Sequence, residues 1–238
     1  AGCRASLVRI RGAQGLRNSR ASDGIAPARC LPGAPAFVFA GCRGLAVSPP
    51  RTPIGRHGAG NPAANGVSPA LITSRDNPLI KALRRLAQDN TAYRKQGQVW
   101  LEGDHLCRAA LERGQQPAIA VFSESFLASS SVDWPQNAIK TIVIPDRLFV
   151  EISGLESPAS MGFVVDLPAL PPLQPGVATV VLDRVQDAGN VGSILRSAGA
   201  FGFRQVVALK GSAALWSPKV LRAGMGAHFG LRLIESAD

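Results

Sequence analysis

The residues best suited to chemistry lie between positions 181 and 202, in the run VLDRVQDAGNVGSILRSAGAFG. Read as a helix from about Asn190 to Phe201, it places Val191, Ile194, Leu195, Ala198 and Phe201 on one side, at the spacing of a face that packs on a sheet. Gly192, Arg196 and Gly199 share the opposite side. Glycine weakens a helix by about 1 kcal/mol per position relative to alanine. Two of them on one stripe, flanking a long cation, predict that another backbone or a ligand comes close there. Arg196 would project into that contact. Asn190 reads as the helix cap through its side-chain oxygen. Two plainer readings compete. One is a tight contact between elements beside a solvated Arg196. The other is a dinucleotide-binding loop, but no G-x-G-x-x-G occurs and the next strand ends at Leu209-Lys210, where an acid would be needed.

The elements around this segment read as alternating strands and helices with short links, an α/β arrangement. Before it, Asp76-Asn77-Pro78 is a helix start, followed by Leu79, Ile80, Leu83, Leu86 and Ala87 at helical spacing. Strands are expected at 98–102, 118–122, 141–144 and 161–165, and helices at 104–113 and from Pro145 to about Ile152. Leu167–Gly176 holds five prolines or glycines in ten residues and reads as a stiff linker between domains. Val177–Leu182 is then an apolar strand of the kind found inside parallel sheets. Gln205–Leu209 and Leu231–Ile234 are further strands, with a helix from Ser217-Pro218 to about Gly226 between them.

Residues 1–67 differ in kind: they hold nine Arg, no Lys and one acid, and 18 of them are Gly or Pro. This composition predicts a low-complexity, disordered extension without a sustained period. An organellar transit peptide and an upstream extension of the coding frame are both compatible with it. Of the net charge of +10, residues 68–238 carry only +2, so the basic balance by itself is no argument for nucleic-acid binding. Cys3, Cys30, Cys42 and Cys107 show no C-x-x-C spacing, so neither a zinc site nor a disulfide scaffold is expected. His105 and His228 stand alone and read as structural or surface residues. No apolar run is long enough to predict a membrane span. The expected organisation is an extension over 1–67, a small domain over 68–166, a linker over 167–176 and a second domain over 177–238.

The 187–202 segment resembles the first motif of the TrmH/SpoU family of RNA ribose 2′-O-methyltransferases, within the SPOUT superfamily. The motif core is N-x-G-x-x-x-R-x-A-x-x-F-G. Asn190, Gly192, Arg196, Ala198, Phe201 and Gly202 fall in register with it, after Asp187. Ser217-Pro218-Lys219 and Arg222-Ala223-Gly224-Met225-Gly226-Ala227 resemble the helix that follows. Ile72–Leu86 and Val99–Gly103 are similar to pieces of the small RNA-binding domain that precedes it in many members. One departure is Ala188, where the family usually has Pro. The resemblance implies an incomplete SPOUT-type, trefoil-knot domain with a parallel sheet. The family's G-N-E-G and S-L-N motifs, which supply the knot and the S-adenosylmethionine pocket, do not occur before Asp238. The chain is therefore expected to be a truncated member, inactive alone, with no cofactor-binding residues of its own.

The resemblance also implies roles. Arg196 and Asn190 would be catalytic, S-adenosylmethionine the methyl donor and rRNA or tRNA the partner, in a homodimer without membrane association. A free guanidinium loses its proton only about six pH units above neutrality, so using it as a base costs about 8 kcal/mol. Either a close cation lowers that cost, or Arg196 stays charged and stabilises the alkoxide or a phosphate. Gly192, Lys219 and Arg222 would face RNA. In the small domain Arg75, Lys81, Arg84 and Arg85 form the candidate RNA face, which Arg94-Lys95 would extend, against the alternative of an ordinary solvated helix face. The competing function is a non-catalytic RNA-binding module. A cytoplasmic location is expected, or a mitochondrial one if residues 1–67 are a transit peptide.

Overall fold

The computed structural model of the protein describes residues 7–12, 69–129, 138–167 and 171–235. The first sheet to form along the chain is mixed. Its strands are β2 (Ala70–Leu71), β3 (Gln98–Glu102), β4 (Ile119–Ser123), β5 (Lys140–Ile144) and β6 (Met161–Asp166), in the order β2-β5-β4-β6-β3. Strands β2, β5 and β4 run parallel, and β6 runs antiparallel to both β4 and β3. Helices α1 (Pro78–Gln88), α2 (Ala92–Gln96), α3 (Asp104–Glu112), α4 (Glu124–Ser129) and α5 (Asp146–Ile152) accompany it. The start of α1 follows from its residues: the Asn77 side chain accepts from the Leu79 amide at 2.9 Å, and Pro78 follows it. Ile80, Leu83, Leu86 and Ala87 are its buried face.

The second sheet is wholly parallel, in the order β1-β7-β8-β9, with β1 (Leu7–Arg11), β7 (Thr179–Asp183), β8 (Gln205–Ala208) and β9 (Arg232–Glu235). Helices α6 (Ala188–Ala200) and α7 (Pro218–Gly224) and a 3-10 turn at Ala227–Gly230 complete it. The presence of β1 corrects the expectation that residues 1–67 lack structure. Val8 and Ile10 turn into the core, while Arg9 and Arg11 meet the Asp183 carboxylate at 2.7 and 3.0 Å. Five alternating residues form an edge strand, too short a pattern to stand out in a Gly- and Pro-rich stretch. The remaining 13–67 lie outside the described residues.

The two sheets meet through α7. Val220 belongs to the core of the parallel sheet, while its neighbour Leu221 is buried in the core of the mixed sheet. A polar lock lies beside this contact. The Tyr93 hydroxyl lies 2.6 Å from both oxygens of Glu235, the Arg94 guanidinium is 3.2 Å away, and the Leu215 amide donates to the same carboxylate at 2.5 Å. Burial and the facing carboxylate push the Tyr93 phenol up, so it stays protonated and donates.

Helices α6 and α7 touch with only the Ala223 methyl and bare backbone between them. A Cβ at Gly192 would lie 2.4 Å from the Ala223 Cβ and 2.7 Å from the Gly224 amide nitrogen, whereas one at Gly199 would meet nothing within 4 Å. Gly192→Ala should therefore destabilise the fold by about 1–3 kcal/mol through overpacking. Gly199→Ala should stabilise it by up to about 1 kcal/mol through helix propensity. Opposite shifts of the urea midpoint check both.

His228, in the 3-10 turn, is buried. Its Nε2 lies 2.9 Å from the Leu215 carbonyl, and its Nδ1 has no partner among the described residues. Burial pushes its pKa down to about 4. The unfolded chain then binds more protons between about 6.5 and about 4, so His228 favours folding above that window and loses this contribution as pH falls through it. Thermal unfolding from pH 7 to pH 4 should show a shallower fall for His228→Phe than for the natural chain.

Candidate functional site

Helix α6 carries the singled-out residues, with two changes from the sequence reading. The cap is Asp187, whose Oδ1 accepts from the Asn190 amide at 2.7 Å, so Asn190 sits in the first turn and does not cap the helix. Its side chain is exposed and makes no hydrogen bond among the described residues. Phe201 does not pack on the sheet. It is 72% exposed, because it stands where the chain leaves the helix and its side chain no longer follows the helical period. Val191, Ile194, Leu195 and Ala198 are buried as their spacing requires.

The close approach foreseen for the glycine stripe is met at Gly192, and what approaches is the backbone of α7. Gly192 is buried in that contact, which corrects the expectation that it faces RNA. At Gly199 the stripe is open. One turn beyond Gly192, past the end of α7, Arg196 reaches an open cleft of about 470 Å³. Its walls come from both domains: Ala109, Glu112 and Arg113 at the end of α3, and Arg196, Arg204 and the Met225-Gly226 turn.

This turn is shaped by two successive left-handed residues, Met225 (φ 48°) and Gly226 (φ 82°). A Cβ at Gly226 would lie 2.4 Å from the Cβ of Ala109, so the bare backbone there seats α3 directly on the parallel-sheet domain. Gly230 gives way in the same manner to Arg113, whose Nη1 would lie 2.9 Å from a Cβ at that position. Arg113 thus lies across the domain boundary. Neither Arg113 nor Arg204 was singled out from sequence. Only the packing of the two domains brings them beside Arg196.

The other candidates are dispersed. In the small domain Lys81 pairs with Asp76 at 3.1 Å, and Arg84 and Arg75 converge on Glu151 at 2.9 and 3.8 Å. These cations are partly neutralised in place, although exposed pairs of this kind contribute only about 0–1 kcal/mol and yield to a phosphate. Arg85 is exposed with no ion-pair partner among the described residues. On α7, Lys219 is exposed and Arg222 half-buried. Neither lines the Arg196 cleft, and nor does Asn190.

A larger cavity, about 1210 Å³, runs along β9 and past the end of β8, where Lys210, Gly211 and Ser212 face Tyr93, Arg94 and Trp216. It holds neither Arg196 nor Asn190. Among the described residues no cluster of His, Cys, Asp or Glu could hold a metal ion, and no helix is long and apolar enough to cross a membrane.

Residues 178–238 match the SpoU rRNA Methylase family, and residues 77–162 match the MRM3-like substrate binding domain. The mitochondrial rRNA methyltransferase 3 of Xenopus laevis is 34% identical over 204 residues, which cover 74% of this chain and 47% of that protein. The chain spans less than half the length of that relative. A solved structure from Porphyromonas gingivalis, of the TrmH family of RNA methyltransferases, is 34% identical, covers 67% of this chain and 62% of its own, and superposes with a TM-score of 0.57. The SpoU methyltransferase AviRb from Streptomyces viridochromogenes, solved with its cofactor AdoMet, shares the fold at 22% identity, with a TM-score of 0.57 over 68% of this chain and 64% of its own. With the motif positions in register on α6 and α7 and a parallel sheet beneath them, residues 178–238 are similar to a SpoU rRNA methylase segment, and residues 77–162 ahead of it are similar to an MRM3-like substrate-binding domain.

Proposed function

We propose that this chain acts in the transfer of a methyl group to a ribose 2′-hydroxyl of rRNA, and that Arg196 is its catalytic residue. The observation that carries this reading is the position of Arg196. It stands one turn past the Gly192 contact and opens into a cleft walled by both domains, where an RNA strand held by one domain would meet the other. In the reaction the 2′-oxygen attacks the methyl carbon, the sulfur–carbon bond breaks, and the hydroxyl proton leaves to solvent or a base. The oxygen gains negative charge on the way. Arg196 donates hydrogen bonds to that oxygen or to the neighbouring phosphate and stays charged throughout. Asn190, with its side-chain amide free in the first turn of α6, is proposed as a second polar contact to the substrate.

The methyl donor of this reading is S-adenosylmethionine, which supplies an electrophilic methyl group when bound. The Arg196 cleft suits the RNA rather than the donor: three arginines and one carboxylate line it, a balance that attracts phosphate and repels a sulfonium cation. No donor-binding residues are therefore assigned to it. Arg75, Lys81, Arg84, Arg85, Lys219 and Arg222 are proposed as peripheral phosphate contacts. The relatives' names favour a mitochondrial location over a cytoplasmic one, which a fusion of residues 1–67 to a fluorescent protein would test by microscopy. A homodimer is proposed on the family resemblance alone.

Arg196→Ala should lower transfer of labelled methyl to rRNA by about 100- to 1000-fold, the loss seen when a transition-state donor is removed. The melting temperature should be unchanged, because Arg196 is exposed. Transfer at the natural rate in this variant would sink the catalytic assignment. RNA binding without any transfer by the intact natural protein would leave an RNA-binding module instead.

A further inference from the structure

We infer that Arg113 and Arg204 are positioning residues that hold the RNA phosphodiester backbone beside Arg196, so that the substrate domain itself completes the reaction site. The inference rests on the reading above and adds to it the part of the RNA held and the residues that hold it. Three guanidiniums line one cleft, and none has a carboxylate within ion-pair distance among the described residues. Several other arginines behave differently: Arg9, Arg11 and Arg184 surround Asp183, Arg75 and Arg84 share Glu151, and Arg94 pairs with Glu235. Glu112 is the single acid on the cleft, and it pairs with none of the three.

Burying or crowding like charges is unfavourable without an anion between them. The cleft volume of about 470 Å³ falls in the range of small-ligand sites, about 300–1,000 Å³. Forked guanidiniums match the two free oxygens of a phosphodiester. The bare backbone at Gly226 and Gly230 holds the α3 end close enough for Arg113 to cross the domain boundary. Single-stranded RNA is the occupant this chemistry fits, because a strand leaving the substrate domain presents phosphates at successive sugars.

The test is fluorescence anisotropy of a labelled single-stranded RNA with the 238-residue chain at several salt concentrations. Arg113→Gln and Arg204→Gln should each weaken binding roughly tenfold. Each should also reduce the slope of log affinity against log salt by about 0.7, the value for one lost phosphate contact on a single strand. Arg113→Lys should restore the slope. Arg147→Gln, exposed and outside the cleft, should match the natural chain. Because all the altered residues are exposed, unchanged melting temperatures are expected, and a structural role would leave the salt slope unmoved. Natural affinity and slope in both glutamine variants, or no RNA binding by the natural chain, would overturn the inference. Absence of methyl transfer by the intact protein, with the slopes still responding, would instead overturn the catalytic reading and leave the phosphate cleft in place.

Discussion

The contact of α6 on α7 through Gly192 is the constraint on which the rest of the structure depends. A helix that meets its neighbour across one methyl and bare backbone can neither roll nor slide without a clash, because no flexible side chain lies between to absorb the movement. Arg196 follows one turn later on the same helix, so its direction is set by that contact. Helix α7 in turn is held from its far side, where Leu221 enters the core of the mixed sheet while Val220 remains in the core of the parallel one. Two adjacent residues of a seven-residue helix thus serve two hydrophobic cores. Glu235 reinforces the junction by accepting from Tyr93, Arg94 and the Leu215 amide together.

The arginines divide into those paired with a carboxylate of the chain and those that are not. Asp183, the last residue of β7, collects three of them, and Glu151 collects two beside α1. Those cations are satisfied inside the molecule. The arginines of the α3–α6 cleft are not. This division explains why net charge is a poor guide here: the folded part is nearly neutral, and what matters is which cations have been left without an internal partner and where they gather.

The sequence made some of this plain and hid the rest, for physical reasons. The buried face of α6 follows from local periodicity, as does the start of α1 at Asn77-Pro78. The cap of α6 was misread because Asp187 and Asn190 are both capable acceptors three residues apart, and the side chain that wins is decided by the path of the preceding loop. Phe201 departs from the periodicity because it caps the end of the helix, where the period stops. Strand β1 was invisible because its partner is far away in the chain. The same holds for Arg113 and Arg204: nothing within several residues of either marks it, and only the docking of two domains gives them a common neighbour. The glycine stripe was half legible. It announced a close approach, which occurs at Gly192 with a helix for a partner and does not occur at Gly199.

Strand β1 has a consequence for how the chain reaches this fold. Arg9 and Asp183 are separated by 174 positions, so this strand leaves the ribosome long before its partner and is among the last to find its place. During synthesis Val8 and Ile10 wait without a sheet to join, and the entropy of closing so long a loop must be overcome before any pairing rewards it. The mixed-sheet domain, whose strands all lie between residues 70 and 166, can condense meanwhile. Folding is then vectorial with one late return, and the amides of Leu7–Arg11 should be the ones that exchange hydrogen fastest within the parallel sheet.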